Sequence, residues 1–273
     1  MPTTIPTVES LLTRIARWGF RLLAGVVLVI GAALVCFPGD TAAYFAWTIK
    51  APIAAVTLGA WFLGLSGFAW ALAGGPVAAM RLAAPAVALG SALMLVTTIL
   101  HRAAFNWGSP AAWAWLFLYI GGPLSFTAFA YLLGKPGALV EAQPRSSALL
   151  RGAAVATATI AGVFGAMLFL WPTTLIPSWP WPLLPLGART YAAFVLGHAL
   201  WAGRIGCART ERSGADWYLA LFPLMAFLAP WLQSAGFRPW SAGGVTFLFL
   251  TGGVAALTAC ALRAEGRRSR QNM

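Results

Sequence analysis

The stretch Trp171–Trp201, WPTTLIPSWPWPLLPLGARTYAAFVLGHALW, decides how the rest of the chain is read. Pro172, Pro177, Pro180 and Pro182 lack a backbone donor and fix φ, so a regular helix cannot run through them. Interleaved with Trp171, Trp179 and Trp181 they make an aromatic turn. Near Pro185 an apolar helix follows that carries Arg189, Tyr191 and His198. The earlier stretch Phe37–Trp70 has the same plan: an aromatic-proline start, a turn ending at Trp47, then an apolar run with Gly59, Gly64 and Gly67.

Laid over WPTTLIPSWPW, the segment FPGDTAAYFAW pairs Phe37-Pro38 with Trp171-Pro172 and Trp47 with Trp181, an offset of 134. One residue of gap then sets Pro52 on Pro185 and Gly64 on Gly197, at 133. Further on, FNWGSPAAWAWLFL lies over FRPWSAGGVTFLFL, with Phe105 on Phe237 and Leu116-Phe117-Leu118 on Leu248-Phe249-Leu250, at 132. A register that drifts by two residues over the whole chain predicts an internal duplication.

Composition sets the solvent in which the copies fold. Of 273 residues 60% are hydrophobic and only 9% charged, and the mean hydropathy is +0.79, far from the make-up of soluble domains. A transmembrane helix needs about 20 apolar residues. Eight runs supply them, at about 18–38, 51–73, 82–101, 111–133, 150–171, 184–203, 216–233 and 243–263. The alternating short segments of a transmembrane barrel are lacking. The expected fold is therefore all-α, a polytopic membrane protein of eight transmembrane helices. Four spans per copy is an even number, so both copies enter from one side and the two four-helix repeats are parallel.

The expected division is a cytoplasmic segment 1–17, a first repeat 18–133, a cytoplasmic linker 134–149, a second repeat 150–263 and a basic tail 264–273. Residues 1–17 read as a polar flank in which VESLLTRIARW forms an amphipathic turn or two at the interface. Gly121, Gly122 and Pro123 are expected to interrupt the fourth span. Pro223 and Pro230 should kink the seventh. Ala154, Ala158, Gly162 and Ala166 make a ridge of small residues on the fifth, suited to close helix contact.

The net charge of +12 follows topology and does not point to nucleic acid. With the N-terminus inside, fourteen of the eighteen basic residues fall on inner segments, and Lys50, Arg102, Arg189 and Arg238 fall on outer ones. That bias is the positive-inside rule. It puts both termini in the cytoplasm of a bacterial inner membrane, with anionic lipid headgroups against the basic inner loops. Sixteen arginines against two lysines suit a GC-rich bacterial genome. Cys36 lies at the opposite face from Cys207 and Cys260, so no disulfide is expected. Val35 before Cys36 argues against lipoprotein cleavage, and the first span reads as a retained anchor.

FAWTIKAP with the glycine-bearing span after it, and WPWPLLPLGAR at the start of the sixth span, resemble motifs of a family of uncharacterised multi-pass integral membrane proteins from high-GC bacteria. The resemblance covers most of the chain and implies the multi-pass fold; the family has no known activity. The sequence departs from it at Gly187, where a hydroxyl residue is more typical.

Polar groups inside spans are costly and are functional candidates by default. No Asp or Glu lies mid-span, which argues against proton-coupled carriers and carboxylate metal sites. No HExxH, CxxC, P-loop or GxSxG motif is present, and two histidines with no acid nearby assemble neither a triad nor a zinc site. The sequence thus predicts no enzyme, no catalytic residue, no metal and no cofactor.

Six or so residues into its span, Arg189 either binds an anion or a lipid phosphate at the outer mouth or snorkels to the interface. Tyr191 and His198 are seven residues apart and share a helix face, whereas Arg189 and His198 do not. His101, Lys50 and Arg238, with Arg102 and Asp40, either line a shallow vestibule or are solvated helix ends. Trp47, Trp179 and Trp181 either clamp a ligand or sit in the interfacial aromatic belt, with Tyr44 and Phe45. The ligand-contacting candidates are Arg189, His198, Tyr191, Trp47, Trp181, Lys50 and His101. They fit facilitative transport or binding of a small or lipidic molecule between the repeats. The alternative is a non-transporting scaffold whose basic loops meet a cytosolic or membrane protein. A hydrated cavity between the halves at mid-depth would separate the two.

Overall fold

The computed structural model describes residues 8–133, 147–207 and 216–271. Eight long helices account for most of them: α1 Val8–Cys36, α2 Pro52–Gly74, α3 Val77–Leu100, α4 Pro110–Leu132, α5 Ala148–Leu170, α6 Pro185–Cys207, α7 Tyr218–Leu232 and α8 Ala242–Gln271. Single helical turns at Thr41–Tyr44 and Pro172–Leu175 lie between α1 and α2 and between α5 and α6. Among the described residues there is no strand, only an isolated antiparallel bridge between Trp47 and Phe105.

Six helices, α1 to α5 and α8, are long and apolar enough to cross a membrane. The helix α7 is apolar but only 15 residues long. Its neighbour α6 has 23 residues and carries Arg189, His198 and Arg204. Around the outside, Leu22, Val29, Phe117, Leu124 and Phe249 are two-thirds or more exposed, an apolar surface suited to lipid. The set is compatible with a multi-pass integral membrane protein.

Local chemistry sets the helix starts. Pro110 and Pro52 occupy first-turn positions, where the missing N–H has no partner to lose. The Ser109 and Ser147 hydroxyls accept from the backbone N–H of Ala111 and Leu150, each satisfying an orphan donor. Two ends differ from the sequence reading. The helix α1 begins at Val8, so VESLLTRIARW is continuous with the first span and forms no separate interfacial turn. At the other end α8 continues to Gln271 and takes most of the expected tail into the helix. Pro123 sits inside an uninterrupted α4. Most of the 134–149 linker, and residues 208–215 of the arginine-rich loop, lie outside the described residues.

The packing is pairwise. The helix α1 lies along α2, α5 along α6, α3 against α4 and α7 against α8; α3 also packs on α6, and α7 on α2. Small residues set the close crossings, as expected where lipid supplies little drive for association. A Cβ on Gly31 would stand 2.9 Å from the Gly59 carbonyl oxygen, and one on Gly197 would stand 3.2 Å from that of Ala86. The ridge of α5 faces α6, with Gly162 against Ala199 and Ala158 against Gly203.

Candidate functional site

Two turns close one end of the bundle. In the first, the Tyr44 hydroxyl donates to the carbonyls of Ala33 and Phe37, and the Thr41 hydroxyl accepts from the Ile49 N–H at 2.9 Å. The Asn106 N–H donates to the Ala46 carbonyl at 3.0 Å. In the second, the Arg238 N–H donates to the Pro180 carbonyl at 2.8 Å, and its guanidinium donates to the Trp179 carbonyl at 2.9 Å.

The aromatic rings of both turns point inward. Trp47 packs edge-on against Trp115 at 4.8 Å, and Trp181 against Phe247 at 5.2 Å. Trp47, Trp179 and Trp181 are at most 5% exposed, and Phe45 is buried with them, so these rings pack inside the protein. The proline-bent chain folds back over the end of the bundle, and the rings bury their large apolar area there.

Between the turns lies a funnel of about 850 Å³. One wall is Trp47–Leu58, the other Ile176–Tyr191, and His101 and Arg238 complete the rim. Lys50, His101 and Arg238 supply its basic groups, and no carboxylate is among its lining residues.

Behind His101 stands Arg189. Its Nε donates to the Phe169 carbonyl at 3.0 Å, and its Nη1 is 2.9 Å from His101 Nε2. Arginine only donates, so His101 Nε2 accepts and the imidazole is neutral. Burial, and then the Arg189 charge, hold the His101 pKa below its usual value. Two Arg189 donors are thus engaged by the protein, and Arg189 is not among the residues lining the funnel.

Tyr191 stands at the floor, where its hydroxyl donates across to the Ala54 carbonyl of α2 at 2.8 Å. Below it Trp61 meets Tyr191, Phe194 and Phe222 at 4.9, 5.7 and 5.1 Å, and Phe62 meets Phe194 at 5.0 Å. This aromatic layer lies where α2 and α6 face each other. His198 shares a helix face with Tyr191 in spacing but not in surroundings, since it stacks on Phe222 at 4.5 Å.

The structure therefore brings Trp47, Trp181, Lys50, His101 and Tyr191 to one funnel, places Arg189 behind it and leaves His198 below the aromatic layer. Sequence reasoning missed Trp61. A tryptophan mid-span, away from either interface belt, was the available signal. Among the described residues no group of three or more His, Cys, Asp or Glu is placed to hold a metal ion. No family model, curated protein or solved structure matches the chain.

Proposed function

We propose that this is a bacterial inner-membrane protein of eight spans, built as two parallel four-helix repeats with cytoplasmic termini. In this reading it binds a small or lipidic molecule with an anionic group in the funnel between them. The observation that carries the binding site is the funnel itself: basic groups from both halves, no carboxylate in the lining, and a volume in the range of ligand sites.

The repeat is supported by the packing and by one bond. Advancing each helix by four turns the pairs α1·α2, α3·α4 and α3·α6 into α5·α6, α7·α8 and α7·α2, all of them packed. In the register that sets Trp47 on Trp181 and Phe105 on Phe237, the Asn106–Ala46 backbone bond falls on the Arg238–Pro180 bond. The resemblance to uncharacterised multi-pass proteins of high-GC bacteria fits this reading and adds no activity to it.

The test of binding is native mass spectrometry of the full chain with phosphatidylglycerol or phosphatidylcholine. Preferential retention of phosphatidylglycerol that disappears in Lys50→Gln/Arg238→Gln supports the funnel. Equal retention of both lipids, or a preference that survives the double variant, refutes it.

A second reading, the non-transporting module, is favoured by the aromatic layer of Trp61, Phe62, Phe194 and Phe222, which fills the place where a carrier needs a hydrated passage. Cysteine accessibility along α2 and α6, in a chain whose own cysteines are replaced, separates the two. Labelling that fades below Tyr191 fits binding alone; labelling that continues to Gly64 and Gly197 fits transport. A reporter fused near Pro180 that reads as cytoplasmic would overturn the orientation.

A further inference from the structure

A second cavity, of about 310 Å³, lies below the funnel inside the later half of the chain. Residues of α5, α6, α7 and α8 wall it, with Trp61 of α2 and Trp179 of the second turn. None of its lining residues is Asp, Glu, Lys or Arg, so the wall offers no permanent charge to a charged ligand.

Its polar groups are unusual in one respect. Seven buried side-chain nitrogen or oxygen atoms among the described residues have no hydrogen-bond partner. Five of the seven belong to four residues of this wall: Trp61 Nε1, Thr157 Oγ1, Trp179 Nε1 and both ring nitrogens of His198. Buried polar groups are nearly always satisfied, and a cluster of exceptions calls for a partner. Indole N–H groups only donate, and a hydroxyl and a neutral imidazole each have a proton to give. Donors thus predominate in the set, and an oxygen on an uncharged molecule can accept from two of them.

The rest of the wall is aliphatic and aromatic, with Phe164, Leu168 and Phe222 prominent. Its rim lies where α5 and α8 part, with Ile160 38% exposed and Thr246 exposed beside it. The Thr246 hydroxyl is already committed to the Ala242 carbonyl, so that rim offers an apolar tail a way to the lipid.

We infer that this cavity binds a neutral, lipid-soluble molecule whose carbonyl or hydroxyl oxygen accepts hydrogen bonds from two of the donors offered by Trp61, Thr157, Trp179 and His198. Its apolar body lies between α5 and α8. The site is separate from the funnel, and neither requires the other.

The experiment is calorimetric titration of the purified, delipidated full chain with an alkyl para-benzoquinone, a straight-chain alcohol and an alkane of matched chain length. At least one oxygen-bearing probe should bind about tenfold more tightly than the alkane. Which of the two is tighter identifies the oxygen as carbonyl or hydroxyl. Thr157→Val should weaken the favoured probe about fivefold and leave the alkane unchanged. Ala226→Met/Thr251→Tyr, which fills the cavity, should abolish binding of that probe. If the double variant fails to fold, His198→Leu takes its place and should weaken the same probe. Equal affinity for all three probes would mean that water or nothing specific satisfies the polar groups, and would overturn the proposal. So would undiminished binding by a folded, cavity-filled variant.

Discussion

Each half of the bundle borders a space, the earlier one shared with α6 and Tyr218 and the later one with Trp61, and the contrast between them is instructive. In the earlier half Leu23, Leu65, Met94 and Tyr119 line a remnant of about 80 Å³. In the later half the cavity of about 310 Å³ has Thr157, His198, Ala226 and Thr251 in its wall. In the proposed repeat register these are the same four positions, offset by 132 to 134 residues. Thr157, Ala226 and Thr251 are smaller than their counterparts and leave room, and Thr157 and His198 put polar groups where the earlier half has leucine. The earlier space is nearly filled by side chains from both halves, while the later one forgoes packing contacts and leaves polar atoms unmatched, both of which cost stability.

The largest effect that would break this contrast is a truncation in the packed half. Tyr119→Ala should destabilise the protein by about 3–5 kcal/mol, as for other buried aromatic truncations, whereas Thr251→Ala at the matching position should cost less than about 1 kcal/mol. Thermal unfolding in one detergent compares them, and equal losses would show that both halves depend on their cores alike. A smaller effect is expected at the seam. Tyr191→Phe removes the bond to the Ala54 carbonyl and should cost about 1 kcal/mol, while Leu58→Ala on the facing helix tests packing at the same level.

The smallest effect is a pH dependence at the rim. His101 has its pKa lowered from 6.5 in the folded protein, so the unfolded chain takes up a proton first as the pH falls. The contribution of His101 is complete above about pH 6.5 and declines as the pH drops below it towards the lower folded value. The decline is shallow because the side chain is only half-buried. His101→Gln should flatten that limb of the stability profile; an unchanged slope would remove the neutral imidazole from the account.

Part of this architecture is legible in the amino-acid sequence, and the physical reason differs by residue. Helix positions can be read because about 20 consecutive apolar residues have few alternatives in a chain this poor in charge. The prolines at 172, 177, 180 and 182 mark the second turn for a similarly local reason. The ends of α1 and α8 are not legible, because polar and basic residues such as Arg14 or Arg267 are also good helix formers and leave no stop signal. The partners of Arg189 are hidden as well. Phe169 and His101 are distant in sequence, and nothing at position 189 distinguishes an arginine facing lipid headgroups from one donating to a carbonyl and an imidazole.

The sequence by itself determined the all-helical make-up, the places where helices begin in proline and serine, and the aromatic turns, since each depends on local covalent chemistry and on hydropathy summed over a short window. Only the tertiary structure decided that the turn tryptophans point inward, that Arg189 donates to His101, and that a cavity of about 310 Å³ is walled by α5 to α8. Those outcomes depend on which side chains from distant helices compete for the same volume, and no single stretch of chain carries that information.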